Sequence, residues 1–242
     1  LMSHLGIERL LSVAGGSMGG MQAMQWAISY PSMVGSVIAI GTASSLSAQG
    51  IAFNMVGRQA IFRDPNWNHG RYYHTKKPQD GLSLARMVGH ITYMSEDLMH
   101  QKFGRRLMDS DLFSFDFKTE FMVESYLEHQ GVKFVNRFDA NSYLYITKAI
   151  DYFDLKAEYG GSLIKAFENV TSDFLVISYS SDWLYPSVLS REIVKALRAN
   201  GKHVGYTEIQ SDYGHDTFLI DDAQTQRNIS NFLRSQFEKK NP

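Results

Sequence analysis

The fold is decided by residues 9–41, which read RLLSVAGGSMGGMQAMQWAISYPSMVGSVIAIG. Two short apolar runs, at residues 9–14 and 34–40, each end at a glycine, and such runs predict buried strands. Between them, residues 18–30 are rich in good helix formers and are stopped by Pro31. A strand, a helix and a strand in about 30 residues predict a βαβ unit, and near-continuous apolar strands are typical of a parallel sheet covered on both faces.

The last third of the chain repeats this alternation. Residues 174–178 and 203–209 predict two further strands. Residues 187–199 predict a helix with Ser187 as its N-cap, and residues 221–237 predict a final helix. We therefore expect an α/β fold whose sheet continues in this part of the chain.

The middle of the chain has a different character. Residues 47–155 are rich in Met, Phe and Tyr, carry charges at helical spacing, and contain few alternating strand patterns. We expect them to form a helical insertion between two core segments, residues 1–46 and 156–242. The Met and aromatic side chains would form either a core of the insertion or a surface for a partner, and the core interpretation is favoured.

Composition excludes several classes of protein. The 24 Lys and Arg residues balance 25 Asp and Glu residues, and this net charge of −1 argues against a basic nucleic-acid binder. The hydrophobic fraction of 44% is that of a globular protein rather than a disordered one. The chain has no cysteine, which excludes disulfides, thiolate metal ligands and cysteine nucleophiles. Because no apolar run is long enough for a membrane helix and no signal-like segment opens the chain, we expect a cytoplasmic protein.

The strongest functional signal is GGSMG at residues 15–19, which matches the pattern G-x-S-x-G between a predicted strand and a predicted helix. A sharp turn there projects the Ser17 hydroxyl outward and places the Met18 backbone N–H at a helix N-terminus, where it can donate to a developing oxyanion. We expect glycine to be required at positions 15 and 19, because a side chain would crowd the neighbouring strand or helix. The alternative is a glycine-rich turn with an incidental serine, such as a phosphate cradle.

A serine nucleophile needs a base and an orienting carboxylate. Asp182 follows the predicted strand 174–178, and His215 follows the predicted strand 203–209. Because the carboxyl ends of parallel strands meet at one edge of a sheet, we expect Ser17, Asp182 and His215 to form a catalytic triad there. No tight cluster of His and Asp has metal-ligand spacing, so we expect neither a metal nor a bound cofactor.

Four dispersed blocks resemble the homoserine O-acetyltransferases, the α/β-hydrolase-fold enzymes of methionine biosynthesis. They are GGSMGGMQAMQW at 15–26, LSAQGIAFNMVGRQAI at 46–61, RFDANSY at 137–143 and SDYGHD at 211–216. The resemblance covers essentially the whole chain and implies an α/β-hydrolase fold with a helical lid. It also implies a ping-pong reaction with acetyl-CoA as co-substrate, in which Ser17 takes the acetyl group, His215 oriented by Asp182 moves the protons, and the γ-hydroxyl of L-homoserine accepts the acetyl group.

The resemblance also assigns residues that bind the amino acid. Arg58 matches the position that binds the substrate carboxylate, Asn54 belongs to the same block, and Asp216 matches the position that contacts the polar groups of the amino acid, its ammonium above all. If residues 50–61 are helical, Asn54 and Arg58 share one face; without the resemblance, Arg58 would be taken for a surface charge. The family further implies a homodimer formed through the lid helices, and a lid that keeps water from the acyl-enzyme.

Several alternatives stay open. The same scaffold could act as a homoserine O-succinyltransferase or a serine O-acyltransferase, as a serine esterase or other hydrolase, or as a non-catalytic binding protein. The sequence also departs from the family pattern, which has about four strands and the second oxyanion-hole donor before the serine; here 16 residues precede Ser17. We therefore expect those strands to be absent from this chain and about a hundred further residues to lie upstream in the full protein.

Overall fold

The computed structural model describes residues 1–108, 112–220 and 222–240 of the chain, which form two compact units. The first unit comprises Leu1–Leu46 and Phe153–Pro242, and the second comprises Ser47–Tyr152. The sequence placed the end of the insertion at residue 155. The chain re-enters the first unit slightly earlier, because the Phe153 side chain packs against the core of that unit.

The strands and helices follow one another in a simple order. In chain order they are β1 (Val13–Gly16), α1 (Met18–Ser29), β2 (Ser36–Ile40), α2 (Ala48–Arg63), α3 (Gln79–Tyr93), α4 (Glu96–Lys102), α5 (Met122–Val135), α6 (Ala140–Tyr152), α7 (Leu155–Glu158), α8 (Leu163–Ala166), β3 (Asp173–Tyr179), α9 (Ser187–Ala199), β4 (Val204–Ile209) and α10 (Ala223–Lys240). Two 3-10 segments, Pro65–Gly70 and Gly214–Leu219, lie after α2 and after β4.

The first unit is a parallel sheet with the strand order β1-β2-β3-β4, and helices cover both of its faces. Alternate residues of β2 point to opposite faces. Val37 and Ala39 pack in a core that includes residues of α1 and α9, while Ile38 and Ile40 pack in a second core with residues of α10. Every residue of β2 is buried. The predicted parallel sheet with two covered faces is therefore confirmed.

Three local predictions need correction. β1 begins at Val13 instead of residue 9, and before it Leu10 makes only an isolated bridge to Val34. Ser187 is the first residue of α9 instead of its N-cap, because its hydroxyl turns towards β3 and donates to the Tyr179 carbonyl (3.4 Å). The final helix begins at Ala223, and position 221, where the sequence placed its start, lies outside the described residues.

The second unit is helical and has its own core. Ile61 of α2, Leu82 of α3 and Phe134 of α5 pack there with the buried ring of Tyr72. Other large apolar side chains of this unit remain exposed, among them Met55, Ile51, Phe62, Tyr145 and Tyr152. The Met and aromatic residues therefore divide between core and surface. None of the described helices has the length and apolar character that a bilayer-spanning segment requires.

A buried carboxylate joins the end of α2 to the start of α3. Asp64 is only 6% exposed; its Oδ1 accepts from the Asn66 backbone N–H (2.9 Å), and its Oδ2 accepts from the Gly81 backbone N–H (2.9 Å). Hydrogen bonds to a charged acceptor contribute about 1.5 to 3 kcal/mol each, and a buried N–H that loses its partner pays its desolvation cost. Asp64 thus fixes the packing of α2 against α3.

We predict that Asp64→Ala lowers the free energy of unfolding by about 2 to 4 kcal/mol, because both amide donors lose a charged acceptor. Asp80→Ala is the matched control, since Asp80 is exposed in the first turn of α3, where its interaction with the helix dipole contributes about 0.3 to 1 kcal/mol. Urea unfolding monitored by circular dichroism measures both losses. Equal losses in the two variants would contradict this account of Asp64.

Candidate active site

Ser17 lies at the apex of the turn between β1 and α1. Its backbone has φ 55° and ψ −124°, a strained conformation for a residue with a side chain. Two hydrogen bonds hold it there: the Ser17 N–H donates to the Ile40 carbonyl (2.9 Å), and the Thr42 hydroxyl donates to the Ser17 carbonyl (2.7 Å). α1 begins at Met18, so the Met18 N–H belongs to the free amides of a helix N-terminus.

The glycines around Ser17 have different roles. A Cβ on Gly15 would overlap the backbone carbonyl of Gly19, a Cβ on Gly16 would lie 2.6 Å from the Phe218 ring, and a Cβ on Gly20 would lie 2.6 Å from Thr42. A Cβ on Gly19 would meet nothing within 4 Å. The expectation that position 19 requires glycine was therefore wrong, because the crowding there runs in one direction, from Gly15 into the Gly19 backbone.

Asp182 and His215 form a buried pair at the ends of β3 and β4. Asp182 Oδ2 lies 2.8 Å from His215 Nδ1, and the two side chains are 0% and 4% exposed. Asp182 Oδ1 accepts from the backbone N–H groups of Leu184 (3.0 Å) and Tyr185 (2.8 Å), which fixes the carboxylate. Donation from Nδ1 to this carboxylate leaves Nε2 as the basic nitrogen of the imidazole.

The loops that carry these two residues are tied to each other. The Ser180 hydroxyl accepts from the Ser211 N–H (3.1 Å), and the Ser181 hydroxyl accepts from the Gly214 N–H (3.0 Å). Each of the paired residues is also followed, three positions later, by an aromatic ring that packs on the imidazole. Tyr185 stacks on His215 at 5.0 Å, and Phe218 meets it edge-on at 5.3 Å. Sequence reasoning missed both rings, although their equal spacing is a signal that could have identified them.

The ends of the four strands gather Ser17 and the Asp182–His215 pair at one edge of the sheet. Gly41 directly follows β2, and a Cβ on it would lie 3.5 Å from Asp182 Oδ2 and 3.7 Å from the His215 ring. The preceding carbonyl, that of Ile40, holds the Ser17 N–H. The Phe218 ring packs on His215 and also lies directly against Gly16, the residue before Ser17. Asp216, half-buried, directly follows His215 in the segment Gly214–Leu219.

The other predicted residues, Asn54 and Arg58, lie on α2 in the second unit and share a face. Arg58 is buried, and its Nη2 makes an ion pair with Asp151 Oδ2 of α6 (2.6 Å). The Asn54 amide donates to Asp151 Oδ1 (2.8 Å). Arg58 is therefore not a surface charge. Sequence reasoning missed Asp151, because nothing in its own neighbourhood of the chain marks it as the partner of Arg58.

One nitrogen of the Arg58 guanidinium, Nη1, is buried and makes no hydrogen bond to the residues that the structure describes. Tyr143 packs beside this region, and its hydroxyl lies so close to Gly57 that a Cβ there would overlap it. Burial raises the pKa of the Tyr143 hydroxyl above its ordinary value, so this group stays a neutral phenol. Across residues 1–108, 112–220 and 222–240, no group of three or more His, Asp or Glu side chains could hold a metal ion.

Comparison with known proteins identifies the family. A family model described as the alpha/beta hydrolase fold matches residues 1–222. The chain belongs to the α/β-hydrolase fold family. Within this family, it is 59% identical over 233 residues to the homoserine O-acetyltransferase of Methanohalobium evestigatum, an alignment that covers 96% of the chain and 47% of that relative. The chain thus spans about half the length of the curated relatives it matches first, and the resemblance seen in the sequence is confirmed.

Solved structures of α/β hydrolases agree with this assignment. The crystal structure of homoserine O-acetyltransferase from Bacillus anthracis superposes with a TM-score of 0.88 at 28% identity, covering 96% of this chain and 62% of that one. The structure of esterase E22 superposes with a TM-score of 0.86 at 26% identity, covering 96% and 63%. One scaffold therefore carries both an acetyltransferase and an esterase among the proteins similar to this chain.

We predict opposite effects of alanine at two glycines of the Ser17 turn. Gly15→Ala should destabilise the protein by about 3 kcal/mol, because the new methyl group overlaps backbone that cannot rotate away. Gly19→Ala should leave stability unchanged or raise it by up to about 1 kcal/mol, since the site is open and alanine is a better helix former than glycine. Thermal unfolding of the two purified variants provides the comparison, and a loss at Gly19 as large as that at Gly15 would refute the one-directional crowding.

We predict that removing one partner of the Arg58–Asp151 ion pair destabilises the protein more than replacing both partners with apolar residues. Arg58→Ala should lower the free energy of unfolding by about 3 to 5 kcal/mol, because it leaves the Asp151 carboxylate buried and uncompensated. The double variant Arg58→Met with Asp151→Leu should recover most of that loss, since neither charge remains. Denaturant titration compares the two proteins. A double variant no more stable than Arg58→Ala would show that the buried charge is not the cause.

Proposed function

We propose that the protein is an acetyltransferase that moves an acetyl group from acetyl-CoA to the γ-hydroxyl of L-homoserine, as a step of methionine biosynthesis. The observation that carries the proposal is the buried Asp182–His215 pair at the same sheet edge as the strained Ser17. Its support from relatives is the 59% identity to a homoserine O-acetyltransferase. The resemblance also implies a homodimer. Apolar side chains such as Leu84, Ile91 and Val132 remain exposed on α3 and α5, where a second copy could pack.

The proposed reaction has two halves with one base. In the first, His215 Nε2 takes the proton of Ser17 Oγ as that oxygen attacks the thioester carbonyl; the C–S bond breaks and the departing sulfur receives the proton. In the second, His215 takes the proton of the homoserine hydroxyl as it attacks the acetyl-serine ester, and then returns a proton to Ser17. Asp182 stabilises the imidazolium formed in each half, and the Met18 N–H donates to the oxyanion.

The amino acid is a zwitterion, and the proposed binding residues match its two charges. Arg58 Nη1 is a buried donor with no partner among the described residues, a state that costs about 1 to 3 kcal/mol until an acceptor arrives. A substrate carboxylate is such an acceptor, and a guanidinium suits its planar geometry. Asp151, held by Asn54, fixes the orientation of the guanidinium, which gives Asn54 a positioning role. Asp216, beside His215 in the chain, is proposed to pair with the ammonium.

The second candidate function is a serine esterase, which the superposition with esterase E22 favours. The same serine, histidine and aspartate would hydrolyse an ester if water replaced homoserine at the acyl-enzyme. The assay incubates the protein with acetyl-CoA or succinyl-CoA and with homoserine, serine or no amino acid, and detects free CoA thiol. Thiol release that requires acetyl-CoA and homoserine supports the acetyltransferase. Equal release without an acceptor, or rapid turnover of p-nitrophenyl acetate alone, supports the esterase.

We predict that Ser17→Ala lowers acetyl transfer at least about 10⁴-fold, because it removes the oxygen that is proposed to carry the acetyl group. Ser29→Ala, at the exposed C-terminal end of α1, is the control and should keep full activity. Before homoserine is added, the unsubstituted protein should release a burst of one CoA per active site, and Ser17→Ala should release none. Transfer that persists in Ser17→Ala would exclude the acyl-enzyme.

We predict that Arg58→Lys raises KM for homoserine about tenfold. Lysine preserves a positive charge beside Asp151 but removes the second donor nitrogen that would bind the carboxylate. The turnover of p-nitrophenyl acetate, a substrate without a carboxylate, should remain unchanged and controls for the integrity of the site. If both substrates lose turnover to the same extent, Arg58 supports the structure and does not bind the amino acid.

A further inference from the structure

A groove of about 590 Å³ lies entirely within the second unit, between α2, the 3-10 segment Pro65–Gly70 and α6. Pockets that hold drug-sized ligands measure about 300 to 1,000 Å³, so the groove is far larger than a four-carbon amino acid requires. It is lined in part by Arg58, Phe62, Trp67, His69, Tyr145 and Lys148, and none of its described lining residues is acidic. The groove is therefore suited to an anion larger than homoserine.

The charges of the groove point to a polyanion. Lys148 is exposed on α6, and its ammonium lies 4.6 Å from the centre of the Tyr152 ring. Arg58 lines the same groove and is 6% exposed, and its Nη1 is buried with no partner among the described residues. Its other nitrogen, Nη2, is already paired with Asp151. Two cationic side chains thus face a cavity whose described walls contain no carboxylate.

Aromatic rings make up another part of the lining. Trp67 packs against Phe62 at 4.7 Å and against His69 at 5.7 Å, so that three rings follow one another. Tyr145 is 79% exposed. Proteins that bind single-stranded nucleic acid combine cationic side chains with aromatic rings, because every base has a face that can stack on a ring, and the lining of the groove has the same two components.

The turn that presents His69 is strained and firmly held. Asn68 (φ 44°) and His69 (φ 51°) both adopt left-handed conformations, which are strained for residues with side chains. Asn141 holds the turn: its Nδ2 donates to the Gly70 carbonyl (2.9 Å), and its Oδ1 accepts from Trp67 Nε1 (3.2 Å). The RFDANSY block at 137–143 therefore has a local role, which is to fix the shape of this wall.

We propose that the groove binds the nucleotide end of the acyl donor, an adenosine that carries phosphate groups. The rings of Trp67, His69 and Tyr145 stack on the base, and Lys148 pairs with phosphate. The choice of donor rests on the proposed function, whereas binding of the nucleotide does not.

The test measures binding of adenosine 3′,5′-bisphosphate by calorimetry and, separately, KM for acetyl-CoA. Lys148→Glu reverses the charge, and His69→Asn removes the ring but keeps a residue type that tolerates the left-handed backbone. Lys133→Glu is the matched control, because Lys133 is exposed on α5 and does not line the groove. We expect Lys148→Glu and His69→Asn to weaken bisphosphate binding and to raise KM for acetyl-CoA, each at least tenfold, while Lys133→Glu stays within twofold of the unsubstituted protein. Turnover of p-nitrophenyl acetate should be unchanged in all three.

Each other outcome decides between the two proposals. If acetyl transfer is normal but the bisphosphate does not bind, the groove assignment is overturned and the proposed function stands. If the bisphosphate binds with the expected pattern but no acetyl transfer occurs, the groove assignment stands and the proposed function fails. Equal effects of Lys148→Glu and Lys133→Glu would show only a general charge effect and would overturn the assignment. The assignment would also be overturned if Lys148→Glu changed the mass of the protein in solution but left bisphosphate binding unchanged. A second copy of the chain would then occupy the groove.

Discussion

The arrangement of the first unit depends on the close approach of β1 to the first turn of α1. A side chain on Gly15 would overlap the Gly19 carbonyl, so only glycine allows the chain to pass from strand to helix through a single residue. That residue is Ser17, and the turn forces it to a positive φ of 55°. Hydrogen bonds from Ser17 to Ile40 and from Thr42 to Ser17, together with the buried face of α1, offset the strain.

Three of the four strands lead to a polar residue of the candidate site, whereas β2 leads to a glycine. β1 leads to Ser17, β3 to Asp182 and β4 to His215, while β2 leads to Gly41, which has no side chain and a φ of 50°. A residue with a side chain would be strained there by the positive φ, and its Cβ would lie in van der Waals contact with Asp182 Oδ2 (3.5 Å) and the His215 ring (3.7 Å). Asp182 and His215 meet beside this glycine, and the Asp182 carboxylate is held by two backbone N–H groups of its own loop and by His215.

The sequence predicted the position of a residue well where that position depends only on the neighbouring strand or helix. The location of Ser17, Asp182 and His215 at one edge of the sheet could be predicted, because each lies in the segment that follows a strand and parallel strands end at one edge. The requirement at Gly19 could not be judged, since it depends on the direction of a Cβ that the pattern G-x-S-x-G does not specify. Asn54 and Arg58 were correctly placed on one helix face. Their shared partner Asp151 lies on another helix, and only tertiary packing brings it to them.

The insertion leaves and rejoins the sheet unit at one short stem. Ser45 and Asp154 form an antiparallel bridge, and the Leu155 N–H donates to the Ser44 carbonyl (3.0 Å). The two ends of the insertion are thus held together by contacts within the first unit, and the entropy of closing a flexible chain between them grows by only about 0.6 kcal/mol for each doubling of its length. A change in the length of the intervening chain would therefore add little to the entropy of closing this stem.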